Sequence, residues 1–146
     1  MPTINKQALV PYSAREMFDL VDDVESYADF LPWCRSSRVL ARDDEVVRAS
    51  IEIAHGALHK SFTTQNRLQP GKMIEMRLVE GPFRRLEGYW RFDLLGDQAC
   101  KVRLDLEFEF STRLISMALN PIFSQISNSL VDAFTKRAEQ VYGKRD

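Results

Sequence analysis

The sequence predicts an α+β fold in which a curved antiparallel sheet of six to seven strands wraps around a long C-terminal helix. Three observations favour this fold. The central part of the chain repeatedly alternates apolar and polar side chains, the period of half-buried strands. Two short N-terminal stretches and one long C-terminal stretch carry the 3.6-residue period of amphipathic helices. No linker, repeat or low-complexity segment interrupts this order, so residues 1–146 are predicted to form a single domain.

The N-terminal segment predicts one strand followed by two short helices. The strand runs over 3–10 and ends before a proline. Ser13 and Glu16 stand at the spacing of a capping box, which predicts that a helix begins there. The second helix should end at Leu31, because Pro32 disfavours the α conformation of the residue before it.

The central segment, from Ser37 onward, predicts the remaining strands, and the alternation is strongest at residues 102–110. Turns are expected at His55-Gly56-Ala57, Pro70-Gly71 and Glu80-Gly81-Pro82. One strand has an unusually polar inward face. Its members are Leu58, Lys60, Phe62, Thr64, Asn66 and Leu68.

The C-terminal segment returns to the helical period after Thr112. Pro121 is expected to kink this helix or to separate its first turns from the rest. The apolar stripe consists of Ile115, Leu119, Ile122, Ile126, Leu130, Phe134, Ala138 and Val141.

Composition and charge exclude several classes of protein. A net charge of −1 gives no overall field toward nucleic acid, so we expect no DNA partner, and any RNA contact requires a local basic patch. Cys34 and Cys100 are expected to be buried free thiols of a reducing cytosol. Neither a signal peptide nor an apolar span is present, which predicts a cytoplasmic protein, with peripheral contact at the inner face of the membrane as the alternative.

The predicted architecture favours a cavity. A helix lying across a strongly curved sheet leaves a gap, and Gly88 in mid-strand suits a bend or a close backbone approach. Apolar gaps of this kind are common ligand sites, although the same side chains are equally expected to form a packed core. The residues predicted to face the gap are Phe62, Leu78, Trp90, Phe92, Phe108, Phe123, Ile126 and Leu130.

Polar residues occur on or beside these apolar faces. Thr64, Asn66, Asn128 and Ser129 need hydrogen-bond partners if they are buried. A ligand carbonyl, a water molecule or the neighbouring backbone would each satisfy them.

Residue patterns for catalysis are absent from the sequence. His55 and His59 are separated by a predicted turn rather than by one helical turn, so we expect no metal site. No nucleophile elbow, P-loop or dinucleotide-binding motif occurs, which predicts a protein that is not an enzyme and requires no cofactor.

Basic residues cluster at two places in the sequence. Solvated strand edges explain both clusters, and a patch for RNA or acidic headgroups is the alternative. The first cluster is Arg35, Arg38 and Arg42, and the second is Arg84, Arg85 and Arg91.

The segment Tyr27-Ala28-Asp29-Phe30-Leu31-Pro32-Trp33-Cys34 resembles the Y-x-x-F-L-P-W-C signature of the coenzyme Q-binding family, within the polyketide cyclase and START-like superfamily. Further similarities cover nearly the whole chain. They are Phe62-Thr63-Thr64-Gln65-Asn66, Ile74-Glu75-Met76, Gly81-Pro82-Phe83, Leu86-Glu87-Gly88-Tyr89-Trp90-Arg91-Phe92 and Leu130-Val131-Asp132-Ala133-Phe134.

This resemblance implies a helix-grip fold with a hydrophobic tunnel, and it adds Phe30, Leu31 and Trp33 to the predicted ligand-binding residues. The mitochondrial branch of the family binds ubiquinone, which predicts ubiquinone or a similar isoprenoid lipid as the ligand, with Lys60, Thr64 and Asn66 as donors to its oxygens. The bacterial branch includes ribosome association toxins, which bind the large ribosomal subunit and block subunit joining. Both functions stand, because a tunnel ligand and a macromolecular surface need not overlap.

Overall fold

The structure is a computed structural model that describes residues 3–56 and 58–145, so Ala57 of the predicted turn lies outside the described residues. Seven strands and three α-helices follow one another, with a 3₁₀ turn at Val24–Ser26. The strands are β1 (Thr3–Val10), β2 (Cys34–Arg42), β3 (Val46–His55), β4 (Leu58–Gln69), β5 (Met73–Glu80), β6 (Phe83–Gly96) and β7 (Ala99–Phe110). The helices are α1 (Ala14–Asp22), α2 (Tyr27–Phe30) and α3 (Arg113–Tyr142).

The sheet has the order β1-β7-β6-β5-β4-β3-β2, and every neighbouring pair is antiparallel. Consecutive strands from β2 to β7 are therefore hairpin neighbours, while β1 closes the far edge beside β7. The long helix α3 covers the inner face of the sheet. This arrangement confirms the predicted α+β fold with its curved sheet and C-terminal helix.

The N-terminal elements form as predicted. The Ser13 hydroxyl accepts a hydrogen bond from the Glu16 amide at 3.0 Å, and the Glu16 carboxylate accepts one from the Ser13 amide at 2.9 Å. This capping box satisfies two backbone donors at the start of α1. Helix α2 ends at Phe30, before Leu31 turns to an extended conformation ahead of the proline.

Strand β2 is the one strand that the sequence pattern does not predict as an element distinct from β3. Its side chains do not alternate cleanly between buried and exposed. Irregular pairing with β3 between Cys34 and Ser36 and between Val39 and Ala41 shifts the alternation twice, so a period of two is lost. Because β2 is an edge strand, its exposed positions also need no apolar residues.

Helix α3 begins at Thr112, whose hydroxyl accepts a hydrogen bond from the Ile115 amide at 3.1 Å. The helix runs without interruption through Pro121. The expected separation of its first turns is therefore wrong. Pro121 has no amide hydrogen to donate to the Met117 carbonyl one turn earlier. Because Pro121 is exposed and Met117 is 72% exposed, water can reach this carbonyl instead.

The core consists of three groups of buried side chains. One lies between α1, the C-terminal half of α3 and the sheet around Phe18 and Phe92. The second lies beneath the N-terminal half of α3 around Phe108 and Phe123. The third is small and lies around Val47 under the 3₁₀ turn. Residues of all three groups meet at one place, which is the cavity described below.

Candidate functional site

A cavity of about 90 Å³ lies between the inner face of strands β3–β7 and helix α3. Its walls are almost entirely apolar or aromatic, as in sites that bind small hydrophobic molecules. They comprise Val24, Tyr27, Trp33, Ala49, Ile51, Ile53, Phe62, Thr64, Asn66, Met76, Leu86, Trp90, Leu104, Leu106, Phe123, Ile126, Ser127, Leu130 and Phe134.

Two polar residues of β4 line this cavity side by side. Thr64 is 6% exposed, and its hydroxyl donates a hydrogen bond to the Asn66 side-chain oxygen at 3.0 Å. The two side-chain amide hydrogens of Asn66 make no hydrogen bond within the described part of the chain. The pair therefore offers a donor to a carbonyl oxygen inside the cavity.

Ser127 of α3 supplies a third polar group from the opposite wall. It is 1% exposed, and its hydroxyl makes no hydrogen bond within the described part of the chain. A buried hydroxyl without a partner costs free energy, roughly 1–3 kcal/mol in mutational data. A bound polar group would remove that cost.

Tyr27 is the one cavity residue with an ionisable side chain among those described. Its hydroxyl donates a hydrogen bond to the Val21 carbonyl. Burial first, and then the charges of Asp22 and Asp23, raise the pKa of Tyr27 far above its ordinary value. The phenol therefore stays neutral and acts as a wall of the cavity.

The structure brings together most of the residues predicted to bind a ligand. Those that line the cavity are Trp33, Phe62, Thr64, Asn66, Trp90, Phe123, Ile126 and Leu130. Trp33, from the signature segment, therefore reaches the same space as residues of the sheet and of α3.

The other predicted residues lie outside the cavity wall. Phe92 packs edge-on against Phe18 of α1 at 5.8 Å between ring centroids, and Phe108 lies behind Phe123 at 4.7 Å. Phe30 contacts Phe134 but faces an outer depression. Leu31 is buried at the bend after α2, and Leu78 packs beside the second core group. Strand and helix periods give the inward side of an element, but they do not say how far along it the cavity extends.

The polar predictions on α3 and β4 require correction. The Asn128 amide donates to the Ser124 carbonyl, and the Ser129 hydroxyl donates to the Ile126 carbonyl, so both residues bond their own helix and are exposed. Lys60 is exposed near the start of β4 and does not line the cavity. Sequence reasoning missed Ser127, although its position between Phe123 and Leu130 marks a polar residue within an apolar helix face.

Histidines and cysteines provide no reactive centre in the described residues. His59 lies 3.5 Å from Glu52 at the surface, His55 is exposed, and residues 3–56 and 58–145 contain no cluster of metal-ligating side chains. Cys34 and Cys100 are buried and form no disulfide within the described part of the chain. Burial raises the pKa of both thiols, that of Cys100 to about 11, which makes them unreactive.

The comparisons with known proteins agree with this geometry. The profile of the family described as polyketide cyclase/dehydrase and lipid transport matches residues 10–135. The chain belongs to this family. Among curated relatives, the ribosome association toxin RatA of Pseudomonas aeruginosa is 49% identical over 96% of this chain and 97% of its own length. The mitochondrial coenzyme Q-binding protein COQ10 homolog B of Xenopus laevis is 29% identical over 97% of this chain and 60% of its own length.

Solved structures share this fold. The solution structure of an 18 kDa protein from Caulobacter crescentus is 31% identical, with a TM-score of 0.75, and the match covers 99% of this chain and all of the other. The Zhui aromatase/cyclase of a Streptomyces species has a TM-score of 0.82 at 17% identity, covering 95% of this chain and 94% of that chain. The latter likeness concerns the fold alone. In the described part of the chain, no helix has an apolar stretch long enough to cross a bilayer.

Proposed function

We propose that this protein binds a lipid-like quinone in the cavity between the sheet and α3, without changing it chemically. The observation that supports the proposal is an apolar cavity whose wall contains two side chains with unused hydrogen-bonding groups. These are the amide hydrogens of Asn66 on β4 and the hydroxyl of Ser127 on α3. A quinone ring has carbonyl oxygens that accept hydrogen bonds, and its isoprenoid tail gains roughly 25 cal/mol per Å² of buried apolar surface. The relative named as a coenzyme Q-binding protein supports this ligand class.

The size of the cavity sets a condition on binding. Pockets for drug-sized ligands measure roughly 300–1,000 Å³, whereas this cavity encloses about 90 Å³. Binding therefore requires the walls to separate.

Binding without reaction is favoured by the chemistry of the wall. Its described residues include no carboxylate, imidazole, amine or thiol, and Tyr27 is held neutral. General acid–base catalysis requires a group that exchanges a proton near neutral pH. We therefore expect a quinone to be recovered unchanged after incubation with the protein, as mass spectrometry of the extracted ligand would show.

Intrinsic fluorescence provides the main test, because both tryptophans of the chain line the cavity. Titration with a short-chain ubiquinone should quench Trp33 and Trp90 to saturation. Asn66→Ala and Ser127→Ala should each weaken binding about two- to tenfold, the value of one hydrogen bond of roughly 0.5–1.5 kcal/mol.

Matched controls are available on the solvent side of α3. Asn128→Ala and Ser129→Ala remove the same side chains where these bond only their own helix, so they should leave the affinity unchanged. Equal effects of cavity and control variants, or quenching that never saturates, would refute quinone binding at this site.

Ribosome association is a second candidate function, and the relatives favour it. The toxin from Pseudomonas aeruginosa and that of Vibrio cholerae, 46% identical over 99% of this chain, both carry it in their names. We propose that this protein also binds the large ribosomal subunit. It should sediment with isolated large subunits at low salt and dissociate as salt rises. Absence from the subunit fraction at low salt would remove this candidate.

Peripheral contact with a membrane, from which a lipid-like ligand would be taken, remains a prediction. Vesicle flotation with and without anionic lipid would test it.

A further inference from the structure

The outer face of strands β2–β4 carries a line of arginines. Arg38 lies opposite Ser50, and Arg48 lies two residues from Ser50 on β3. Arg48 lies opposite Gln65, and Arg67 lies two residues beyond Gln65 on β4. Each step crosses one strand and advances two residues, which separates neighbouring side chains by roughly 7–8 Å. We call Arg38, Arg48 and Arg67 the arginine diagonal.

These three arginines are exposed, and the structure of residues 3–56 and 58–145 gives none of them a carboxylate partner within 4.0 Å. Arg48 instead donates to the neutral Gln65 side-chain oxygen at 3.0 Å. The Arg48 guanidinium is therefore held in place by a neutral group, and no carboxylate of the described residues offsets its positive charge. The diagonal presents three positive groups to solvent.

The other half of the outer face differs in this respect. Arg77 is 3.1 Å from Glu75, Arg84 is 3.5 Å from Glu109, and Arg103 is 2.9 Å from Asp93. Arg85 pairs with two carboxylates, those of Glu87 and Glu107. Arg91 lies over the Tyr89 ring at 4.8 Å. Of the two clusters predicted from the sequence, the second is thus largely neutralised within the sheet, and Arg42 of the first is held by Asp22 at 3.0 Å.

Acidic residues near the diagonal are already engaged or lie at its end. Glu52 contacts His59. Glu75 lies opposite Arg67 on the neighbouring strand, but its carboxylate forms an ion pair with Arg77. Asp44 and Glu45 lie in the turn beyond Arg67 and limit the basic surface there. The positive surface therefore extends from Arg67 toward the edge strand β2.

Protection of an edge strand explains only part of this pattern. Basic side chains on edge strands prevent unwanted pairing with other chains, which accounts for Arg38 on β2. Arg48 and Arg67 lie on strands that are paired on both sides. They need another reason.

We propose that the arginine diagonal binds the phosphate backbone of RNA. Guanidinium groups bind phosphate with two parallel hydrogen bonds, and the intervening Ser50 and Gln65 are small or polar hydrogen-bonding residues suited to a hydrated backbone. A membrane surface would instead favour apolar side chains that insert between lipids, and none stands among these positions. The inference rests on the second candidate function, ribosome association, and assigns its RNA-binding surface.

The test compares two variants with the same loss of charge. The first combines Arg38→Gln, Arg48→Gln and Arg67→Gln. The control combines Lys6→Gln, Arg91→Gln and Lys101→Gln on β1, β6 and β7, which lie on the other half of the sheet. Each protein is titrated onto a fluorescein-labelled single-stranded RNA of mixed sequence between about 50 and 200 mM salt. Thermal unfolding is measured for both variants to establish that they are folded.

The diagonal variant should bind the RNA at least about tenfold more weakly at low salt, and its salt slope should fall by about 2, since each single-strand phosphate contact contributes about 0.7. The control should stay within about twofold of the unmodified protein. Equal losses in both variants would overturn the proposal, because they reflect net charge alone. Diagonal-dependent binding to phosphatidylglycerol vesicles without binding to RNA would also overturn it.

Sedimentation with large ribosomal subunits separates this inference from the function on which it rests. If the unmodified protein sediments with the subunits and the diagonal variant does so equally well, the inference fails and ribosome association stands. If the protein binds RNA through the diagonal but never sediments with subunits, ribosome association fails and the RNA surface stands.

Discussion

Gly88 determines how closely two central strands approach each other. It pairs with Met76 on β5 and with Leu106 on β7, in the middle of the sheet. A Cβ atom at this position would lie 2.9 Å from the Leu106 Cα and closer still to the Asp105 carbonyl oxygen. Both are backbone atoms, which cannot move without shifting β7. The absence of a side chain thus permits this close approach, next to which Met76 and Leu106 line the cavity.

We expect Gly88→Ala to destabilise the protein by about 1–3 kcal/mol, because the new methyl group forces β6 and β7 apart. Urea unfolding would measure the change as a lower midpoint. Gly96→Ala on the same strand is the control, since a Cβ there meets no atom within 4 Å. A Gly88 variant as stable as the Gly96 variant would show that the sheet adjusts without cost.

Ser127 illustrates a different limit at the residue scale. Its hydroxyl faces the cavity, whereas the neighbouring Asn128 and Ser129 face solvent. On a helix, a shift of one residue rotates a side chain by about 100°, so three consecutive polar residues point in different directions. The sequence marks the polar run, and only the packing of α3 says which member is buried.

At the scale of elements, the C-terminal residues join α3 to α1. The Arg145 guanidinium contacts the Glu16 carboxylate at 2.7 and 3.0 Å. The Tyr142 hydroxyl donates to the Glu16 carbonyl, and the Tyr12 hydroxyl donates to the Gly143 carbonyl. Glu16 therefore serves both the capping box of α1 and a contact with residues more than 120 positions later.

The Arg145 hydrogen bond is the main reason why the pKa of Glu16 falls from 4.5 to about 2. A lowered pKa in the folded state stabilises the protein above the unfolded pKa, and this contribution is lost as pH falls from about 4.5 toward 2. Glu16→Gln keeps a residue that completes the capping box but removes the charge. We expect it to unfold at a lower denaturant concentration at pH 7, with the difference vanishing near pH 2.

An exposed ion pair supplies the comparison. Asp132 and Lys136 lie one turn apart on α3, at 3.2 Å, and both are mostly exposed. Such pairs contribute about 0.3–0.5 kcal/mol, so Asp132→Asn should shift the midpoint little at any pH. A pH-independent effect of Glu16→Gln would contradict the role assigned to its charge.

At the scale of the whole molecule, the order of elements could be predicted from the sequence because each element carries its own period. The alternation of β7 and the capping box at Ser13 are local signals, and both describe the structure correctly. Strand β2 was not separated because its irregular pairing breaks that period. The cavity wall could be predicted only in part, since Ala49, Met76 and Ser127 reach it through sheet curvature and helix position, which are long-range properties.

The same long-range arrangement places the cavity and the arginine diagonal on opposite faces of one sheet. Inward residues of β3, such as Ala49 and Ile51, line the cavity, whereas Arg48 and Ser50, which alternate with them along the strand, point outward. A strand separates its two faces by alternation alone. Ligand binding and RNA binding are therefore expected to be changed independently by neighbouring residues of β3.

Ala49→Leu tests this separation. Ala49 is 2% exposed and lines the cavity, so a larger side chain would occupy space that the ligand requires. We expect the thermal midpoint to stay close to that of the unmodified protein, because filling a cavity offsets the strain of added methyl groups. Quenching by a short-chain ubiquinone should be lost, whereas RNA affinity should be unchanged.

Ala118→Leu, on the exposed side of α3, should change none of these measurements. If Ala49→Leu unfolds the protein, the smaller Ala49→Val provides the same comparison. Loss of RNA binding in a folded Ala49 variant would mean that the cavity and the outer face are coupled through β3.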